Sequence, residues 1–368
     1  MRIALISNGA MSLENFRGPL MREMVRRGHE VLAFAPDFSD ASRSRLREMG
    51  VVPLDCRMAR AGTNPLQELA TVLELRRLLQ KHRPDLCLSY MIKPVIYGTI
   101  ASWMARVGKR YAMIEGLGFS FSNEAGALQS IVSRLLRFSV TKAHGLIFLN
   151  NDDQATFADK GILGGRLLIL GGIGVDLEEW TPASFPDGPM TFVMVARILR
   201  DKGVEDYVAA SRIVRKKYPQ TRFLLVGGLD DNPSGIAERE VVAWRDEGLV
   251  DWPGHVEVRP WLARSHVFVL PSYREGVPRS TQEAMAVGRP VITTDVPGCR
   301  DTVIDAITGF LVPPRNPEAL AAAMCRFLQQ PALVSTMGQD ARRMAERVFD
   351  VKTQNSKLLD FLEVPNAD

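Results

Sequence analysis

Glu275 and Glu283 stand with seven residues between them in REGVPRSTQEAMAVGRPVITTD, the stretch from 274 to 295. The intervening Gly276, Val277, Pro278, Arg279, Ser280 and Thr281 supply a tight turn, a cation and two hydroxyls. RSTQEAMAVG reads as a short helix stopped at Gly288, whose first turn offers free backbone N–H groups beside the Ser280 and Thr281 hydroxyls, a setting that suits a phosphate. One carboxylate can accept from a ribose diol and the other can hold a sugar. The same residues admit a structural arrangement in which Glu283 caps its own helix and Glu275 pairs with Arg274 or Arg279.

Upstream, ARILRDKGV (196–204) places Arg197 at the end of a strand, Lys202 five positions on and Gly203 at the start of the next helix. Two cations and a helix N-terminus there form a place for a diphosphate. VGGLDDNPSG (226–235) puts Gly227 and Gly228 directly after a strand, where a backbone can approach a ligand closely, while Asp230, Asp231 and Asn232 equally suit an Asx-type turn.

The elements that must carry these loops alternate. RIALIS (2–7), EVLAFAP (30–36), LCLSY (86–90), YAMI (111–114) and GLIFL (145–149) are nearly continuous apolar runs, as in strands covered on both faces. Helical patterns fall between them at about 15–27, 66–82, 95–106 and 126–142. The pattern restarts after the Gly- and Pro-rich stretch 171–190 with TFVMVARI (191–198), RFLLVGG (222–228), HVEV (255–258), HVFVLP (266–271), PVITTD (290–295) and GFLVPP (309–314). Helices are expected at about 203–217, 235–247, 279–287, 316–347 and 352–363. The fold class is therefore α/β, with two Rossmann-like doubly wound domains facing a central cleft lined by the loops at the strands' carboxyl ends. The boundaries read as 1–172 for the first domain and 186–347 for the second, with a last helix in 348–368 packing back on the first.

Composition narrows the classes. A hydrophobic fraction of 46% and a charged fraction of 24% are those of a globular protein, and 368 residues are too many for one ordinary core. The net charge of +4 comes from dispersed cations, which favours anionic small molecules or an anionic membrane surface over nucleic acid. Cys56, Cys87, Cys299 and Cys325 lie far apart with no CxxC pair, so neither a metal site nor a disulfide framework is expected. MRIALISNGA is too short an apolar segment for a signal peptide and no run of 18 apolar residues occurs, so a cytoplasmic location is expected.

Arg197, Lys202, EGVPRSTQE and AMAVGRPVI, followed by GFLVPPRNPEALA (309–321) and preceded by GGIGVD (171–176), resemble the retaining glycosyltransferases of family 4, which have the glycosyltransferase B fold. The resemblance implies that Arg197 and Lys202 bind the donor's diphosphate, Glu283 its ribose and Glu275 the transferred sugar. It also implies that the leaving phosphate acts as base, and that no metal is needed beyond these fixed cations. NDD (151–153) is better read as a helix cap than as half of a metal-binding D-x-D pair.

The first domain is then expected to hold the acceptor, on the loops 7–19, 89–94, 113–122 and 149–153. Gly9 permits close approach, and Asn15, Arg17 and Lys93 are candidate acceptor contacts, the two cations for a phosphate. Where many family members carry a histidine after the strand equivalent to YAMI, this chain has Glu115, which takes over sugar contact, positions the acceptor hydroxyl, or is satisfied by local backbone. EGLGFSF and SNGAMSLENFRGPL are similar to a branch acting on polyprenyl-diphosphate-linked oligosaccharides, which implies a UDP-linked N-acetylgalactosamine or related donor and a role in surface glycan assembly. ALQSIVSRLLRFSVTKAHG (127–145) interleaves Leu128, Ile131, Leu135, Phe138 and Val140 with Arg134, Arg137 and Lys142, as would a helix lying on the inner face of an anionic membrane or a core helix with a solvated basic edge. Trp103, Arg106, Lys109 and Arg110 add to the membrane reading.

Three other classes fit less well. A nicotinamide dehydrogenase needs G-x-G-x-x-G between its first strand and helix, and neither SNGAMS nor ARILRDKG supplies it. A non-catalytic two-domain sugar-binding protein is usually exported. An epimerase or hydrolase of the same fold would place acids and histidines in both lobes, whereas His29, His82, His144, His255 and His266 sit at element edges.

Overall fold

A computed structural model of the protein describes residues 1–59, 64–117 and 127–366. The chain divides into two units, Met1–Ile173 with Lys352–Asp368, and Gly174–Val351.

The first unit contains β1 (Arg2–Ile6), α1 (Ala10–Arg26), β2 (Glu30–Ala35), α2 (Asp40–Glu48), β3 (Val51–Asp55), α3 (Pro65–His82), β4 (Leu86–Tyr90) and α4 (Ile92–Met104). It continues with β5 (Lys109–Ile114), α5 (Ala127–Val140), β6 (Gly145–Phe148), α6 (Asn151–Asp159) and β7 (Arg166–Ile169). Its seven strands form one parallel sheet in the order β3-β2-β1-β4-β5-β6-β7. β1, β4 and β6, each flanked on both sides, are buried or nearly so along their whole length, because helices cover both faces of a parallel sheet. Val95, Ile96, Leu136 and Val140 from α4 and α5 close one core against Ile114 and Phe148.

The second unit contains β8 (Thr191–Val195), α7 (Val204–Lys217), β9 (Arg222–Val226), α8 (Glu238–Asp246), β10 (Asp251–Gly254), α9 (Arg259–Ala263), β11 (Val267–Leu270) and α10 (Arg279–Ala286). Then follow β12 (Val291–Thr294), β13 (Gly309–Val312), α11 (Pro317–Gln329) and α12 (Ala332–Val348). Its six strands are also parallel, in the order β10-β9-β8-β11-β12-β13. α7 shows how sequence sets an element: Glu205 and Asp206 in its first turn and Arg215, Lys216 and Lys217 in its last complement the helix dipole.

The last helix, α13 (Val351–Phe361), falls almost wholly in the first unit. Its Phe361 ring lies 5.7 Å from that of Tyr111, and Glu363 beyond it pairs with Lys109 at 2.7 Å and with Arg166. The Gly- and Pro-rich stretch from 174 belongs to the second unit, where the sequence had set a linker. Buried side chains bind it there: Gly174 donates its N–H to Gln282 at 3.0 Å, and Arg289 donates to the carbonyls of Ala183 and Ser184, each at 2.9 Å.

The strand expected at 255–258 is instead β10, four residues earlier. The single helical stretch expected at 316–347 is broken around Gln330 and Pro331 into α11 and α12. α2, β3 and β7 were not expected at all.

Candidate active site

In the second unit the loops after β8, β9, β11 and β12 leave the sheet at its carboxyl edge, and several are tied together. The chain after β8 makes a single 3-10 turn at Arg200–Lys202 before α7 starts. The Tyr273 N–H donates to the Asp201 carbonyl at 2.9 Å, which joins this turn to the loop after β11. Lys202 Nζ therefore reaches Glu275 Oε1 at 2.5 Å, and Ser272 Oγ donates to the same oxygen at 2.8 Å. Both members of the ion pair are largely shielded, their side chains 20% and 13% exposed.

The loop after β12 fixes the backbone of Glu275. The Glu275 N–H donates to the Pro297 carbonyl at 3.1 Å. Gly298 has φ +78° and lies so close that a Cβ there would stand 2.3 Å from the Glu275 carbonyl oxygen and 2.4 Å from that of Gly276. No motif carried this contact, although a Pro-Gly pair after a buried strand is a turn signal in its own right.

Arg197 Nη1 donates to Asp230 Oδ2 at 2.8 Å, and Asp230 Oδ1 accepts from the Asn232 N–H at 2.9 Å, so the Asx turn and the ion pair share one carboxylate. Gly227 is demanded by close approach, since a Cβ would lie 1.7 Å from the Ala196 carbonyl oxygen. The Gly228 carbonyl accepts from the Ile198 N–H at 3.0 Å, which zips the loops after β8 and β9 together.

α10 begins at Arg279, with Gly276, Val277 and Pro278 buried in front of it. Gln282, fully buried, donates to the Val277 carbonyl at 3.2 Å and shapes this entry. Thr281 is buried too, and its Oγ1 has no hydrogen-bond partner among the described residues, so Ser280 is the first-turn hydroxyl with surface left to offer. Glu283 Oε1 accepts from Arg279 Nε at 2.8 Å. Burial pushes the Glu283 carboxyl above its ordinary value, opposed by the charges of Arg279 and of Arg259, a residue that the motif did not include. Glu275 thus pairs with Lys202, where the structural alternative from the sequence named Arg274 or Arg279. Cys299 stays a protonated thiol: desolvation pushes it up to about 12, so it is no nucleophile.

The second unit therefore gathers Arg197, Lys202, Gly227, Gly228 and residues 275–278 on neighbouring loops, and Arg279, Ser280, Thr281 and Glu283 on the helix α10 that follows, with its cations matched to carboxylates as Arg197–Asp230, Lys202–Glu275 and Arg279–Glu283.

In the first unit, Gly9 precedes α1, and the next N–H, of Ala10, donates to Asp37 Oδ1 at 2.6 Å. Asn15 is exposed on α1. Arg17 is only 2% exposed and bonded to Glu115, so the cation expected to meet an acceptor phosphate is already enclosed and paired. Lys93 joins a different carboxylate, Glu68, at 2.7 Å, and the Ala59 carbonyl at 3.0 Å. The expected acceptor loop 113–122 is described to Leu117, and its remaining residues, like the Leu128 side chain, lie outside the described residues. Asn150, just before the NDD stretch, caps α6 by accepting from the Asp153 N–H at 2.8 Å.

Along α4 and α5, Trp103, Ile131, Leu135 and Phe138 are exposed, and Trp103 meets Phe138 edge to face at 5.9 Å. Lys142 Nζ stands 5.0 Å and 4.9 Å from these two ring centres, with Arg134 and Arg137 exposed beside them. No helix among the described residues is long and apolar enough to cross a membrane. Nor do the described residues include a group of three His, Cys, Asp or Glu able to hold a metal ion.

The family described as Glycosyl transferases group 1 matches residues 189–330, and that described as Glycosyl transferase 4-like domain matches residues 14–171. The capsular polysaccharide biosynthesis glycosyltransferase CapM of Staphylococcus aureus is 31% identical over 298 residues, 77% of each chain. The chain belongs to glycosyltransferase family 4. This glycosyltransferase is also similar, at 26% identity over 362 residues and 94% of each chain, to the N,N'-diacetylbacillosaminyl-diphospho-undecaprenol alpha-1,3-N-acetylgalactosaminyltransferase of Campylobacter jejuni. Its fold is shared with Anabaena HepE in complex with UDP and glucose, with a TM-score of 0.77, 18% identity and coverage of 99% of this chain and 100% of that one. Both units of the glycosyltransferase B fold expected from the sequence are thus present as parallel-sheet α/β domains.

Proposed function

We propose that this glycosyltransferase moves N-acetylgalactosamine or a related N-acetylhexosamine from a UDP-sugar to a polyprenyl-diphosphate-linked saccharide in surface glycan assembly, with retention of anomeric configuration. The observation that carries the reading is the shielded Lys202–Glu275 pair, which stands beside a helix N-terminus and the Arg197 loop at one sheet edge. Arg197 and Lys202 hold the donor's diphosphate, Ser280 and the first N–H groups of α10 meet a phosphate oxygen, Glu283 takes the ribose hydroxyls, and Glu275 the sugar. In the reaction the bond from the anomeric carbon to the UDP oxygen breaks. The acceptor oxygen bonds to the same face of that carbon, and its proton passes to the departing diphosphate. The preorganised cations stabilise the charge that gathers on the diphosphate, a task that metal-dependent enzymes give to a metal ion. In the first unit Glu115 positions the acceptor hydroxyl.

The acceptor class is supported by the 26% identical relative, whose name gives a diphospho-undecaprenol saccharide, and the UDP reading by the family fold shared with a UDP complex. The exposed Trp103, Ile131, Leu135 and Phe138 with Arg134, Arg137 and Lys142 rest on the anionic inner face of the membrane, where such an acceptor is held. The product of UDP-N-acetylgalactosamine and a polyprenyl-diphosphate-linked saccharide should show, by proton NMR, the α-anomer of the donor, formed equally well with a chelator present. A β-linked product, or one formed only with added metal, would overturn the mechanism.

A further inference from the structure

Arg17 is the cation in the first unit that is hardest to explain as a surface contact. It sits on α1, 2% exposed, with its guanidinium carbon 5.0 Å above the centre of the Tyr90 ring. Its Nη2 lies 2.8 Å from Met113 Sδ and is hydrogen-bonded to Glu115 Oε1. Tyr90 ends β4, Met113 is its register partner on β5, and Glu115 follows β5 directly, so Arg17 covers the carboxyl ends of two adjacent strands. A guanidinium this enclosed needs a counter-charge, because an unpaired buried cation is far costlier than a paired one. The carboxylate that supplies it is the group read above as positioning the acceptor hydroxyl. No described residue bonds its second oxygen, Oε2.

From this geometry we propose that Arg17 is the positioning residue for Glu115, a role that rests on the reading of Glu115 given above. Arg17 holds Oε1 and fixes the direction of the carboxylate, so that Oε2 accepts from the acceptor hydroxyl. Lys93, committed to Glu68, takes no part in this.

The test is a double-mutant cycle on the full chain, with kcat and acceptor KM measured for Arg17→Met, Glu115→Gln, their double variant and Arg17→Lys, each below its own melting temperature by circular dichroism. Glu115→Gln should lower kcat by roughly 100-fold. Arg17→Met should lower kcat comparably with little change in acceptor KM, the double variant should be no worse than Glu115→Gln alone, and Arg17→Lys should recover part of the loss. If Arg17→Met leaves Glu115 unpaired and the protein unfolded, the charge-balanced double variant and Arg17→Lys still decide the matter. Equal effects of Arg17→Met with and without Glu115 would overturn the proposal, as would a rise in acceptor KM at unchanged kcat. A fully active Glu115→Gln would overturn it together with the reading of Glu115, and so is distinguishable from a failure at Arg17 alone.

Discussion

Glu283 carries a burden that its partner only partly relieves. Burial raises its carboxyl above the ordinary value of 4.5, and the neighbouring Arg279 and Arg259 pull the other way. An acid whose folded pKa exceeds its unfolded one binds its proton more tightly when folded. Its contribution to stability is full below the unfolded value and is lost as pH rises through the raised folded value. Glu283→Gln should therefore melt like the parent protein near pH 4 and become relatively more stable as pH rises toward neutrality, as followed by circular dichroism; a difference that shrinks with rising pH would refute this. Residue types and order singled out Arg197, Lys202, Glu275 and Glu283, which the structure places on neighbouring loops and, for Glu283, on the helix α10 that follows them. Their pairings were not legible, because Lys202 meets Glu275 only through the Tyr273–Asp201 backbone bond between two loops 73 positions apart at the paired residues. The enclosure of Arg17 was hidden for the same reason, since its neighbours Tyr90, Met113 and Glu115 come from β4 and the end of β5.

Among the elements, the turn at Pro297–Gly298 bears on the site without touching chemistry itself. Gly298→Ala would place a Cβ 2.3 Å from the Glu275 carbonyl oxygen on a residue at φ +78°. The strain and overlap together should cost about 2 kcal/mol, a fall in melting temperature of roughly 4–8 °C for a unit of this size. Calorimetry should find that drop together with weakened UDP binding, because the carbonyls that must retreat belong to the loop proposed to hold the donor; unchanged melting and binding would show that the loop after β12 does not brace Glu275. The strands that the sequence misplaced or passed over share one property. β3, β7 and β10 are edge strands and half-exposed; proline interrupts the apolar run of β3 and β10, whereas β7 keeps a short run, Leu167 to Leu170, that was passed over. α2 buries only Ser42 and Leu46, too few to set a helical period.

For the whole molecule, two parallel-sheet units follow from the repeated strand–helix alternation, and the last helix, expected within 348–368 to pack back on the first domain, carries Phe361 against Tyr111 of the first unit. The apolar and basic face of α4 and α5 predicts binding to vesicles containing anionic lipid that weakens steeply between low and high salt, as the Debye length shortens from about 30 Å at 0.01 M to about 3 Å at 1 M. Cosedimentation should show this for the parent protein and a marked loss for Arg134→Glu with Arg137→Glu; binding that ignores both salt and charge reversal would refute an electrostatic contact. Transfer from a nucleotide sugar to a lipid-linked saccharide can be measured by following UDP release with a panel of UDP-sugars and a polyprenyl-diphosphate-linked acceptor. Release that requires both substrates, and is greatest with UDP-N-acetylgalactosamine or a related N-acetylhexosamine donor, is the predicted result. No release from any UDP-sugar, together with no binding of UDP, would contradict it.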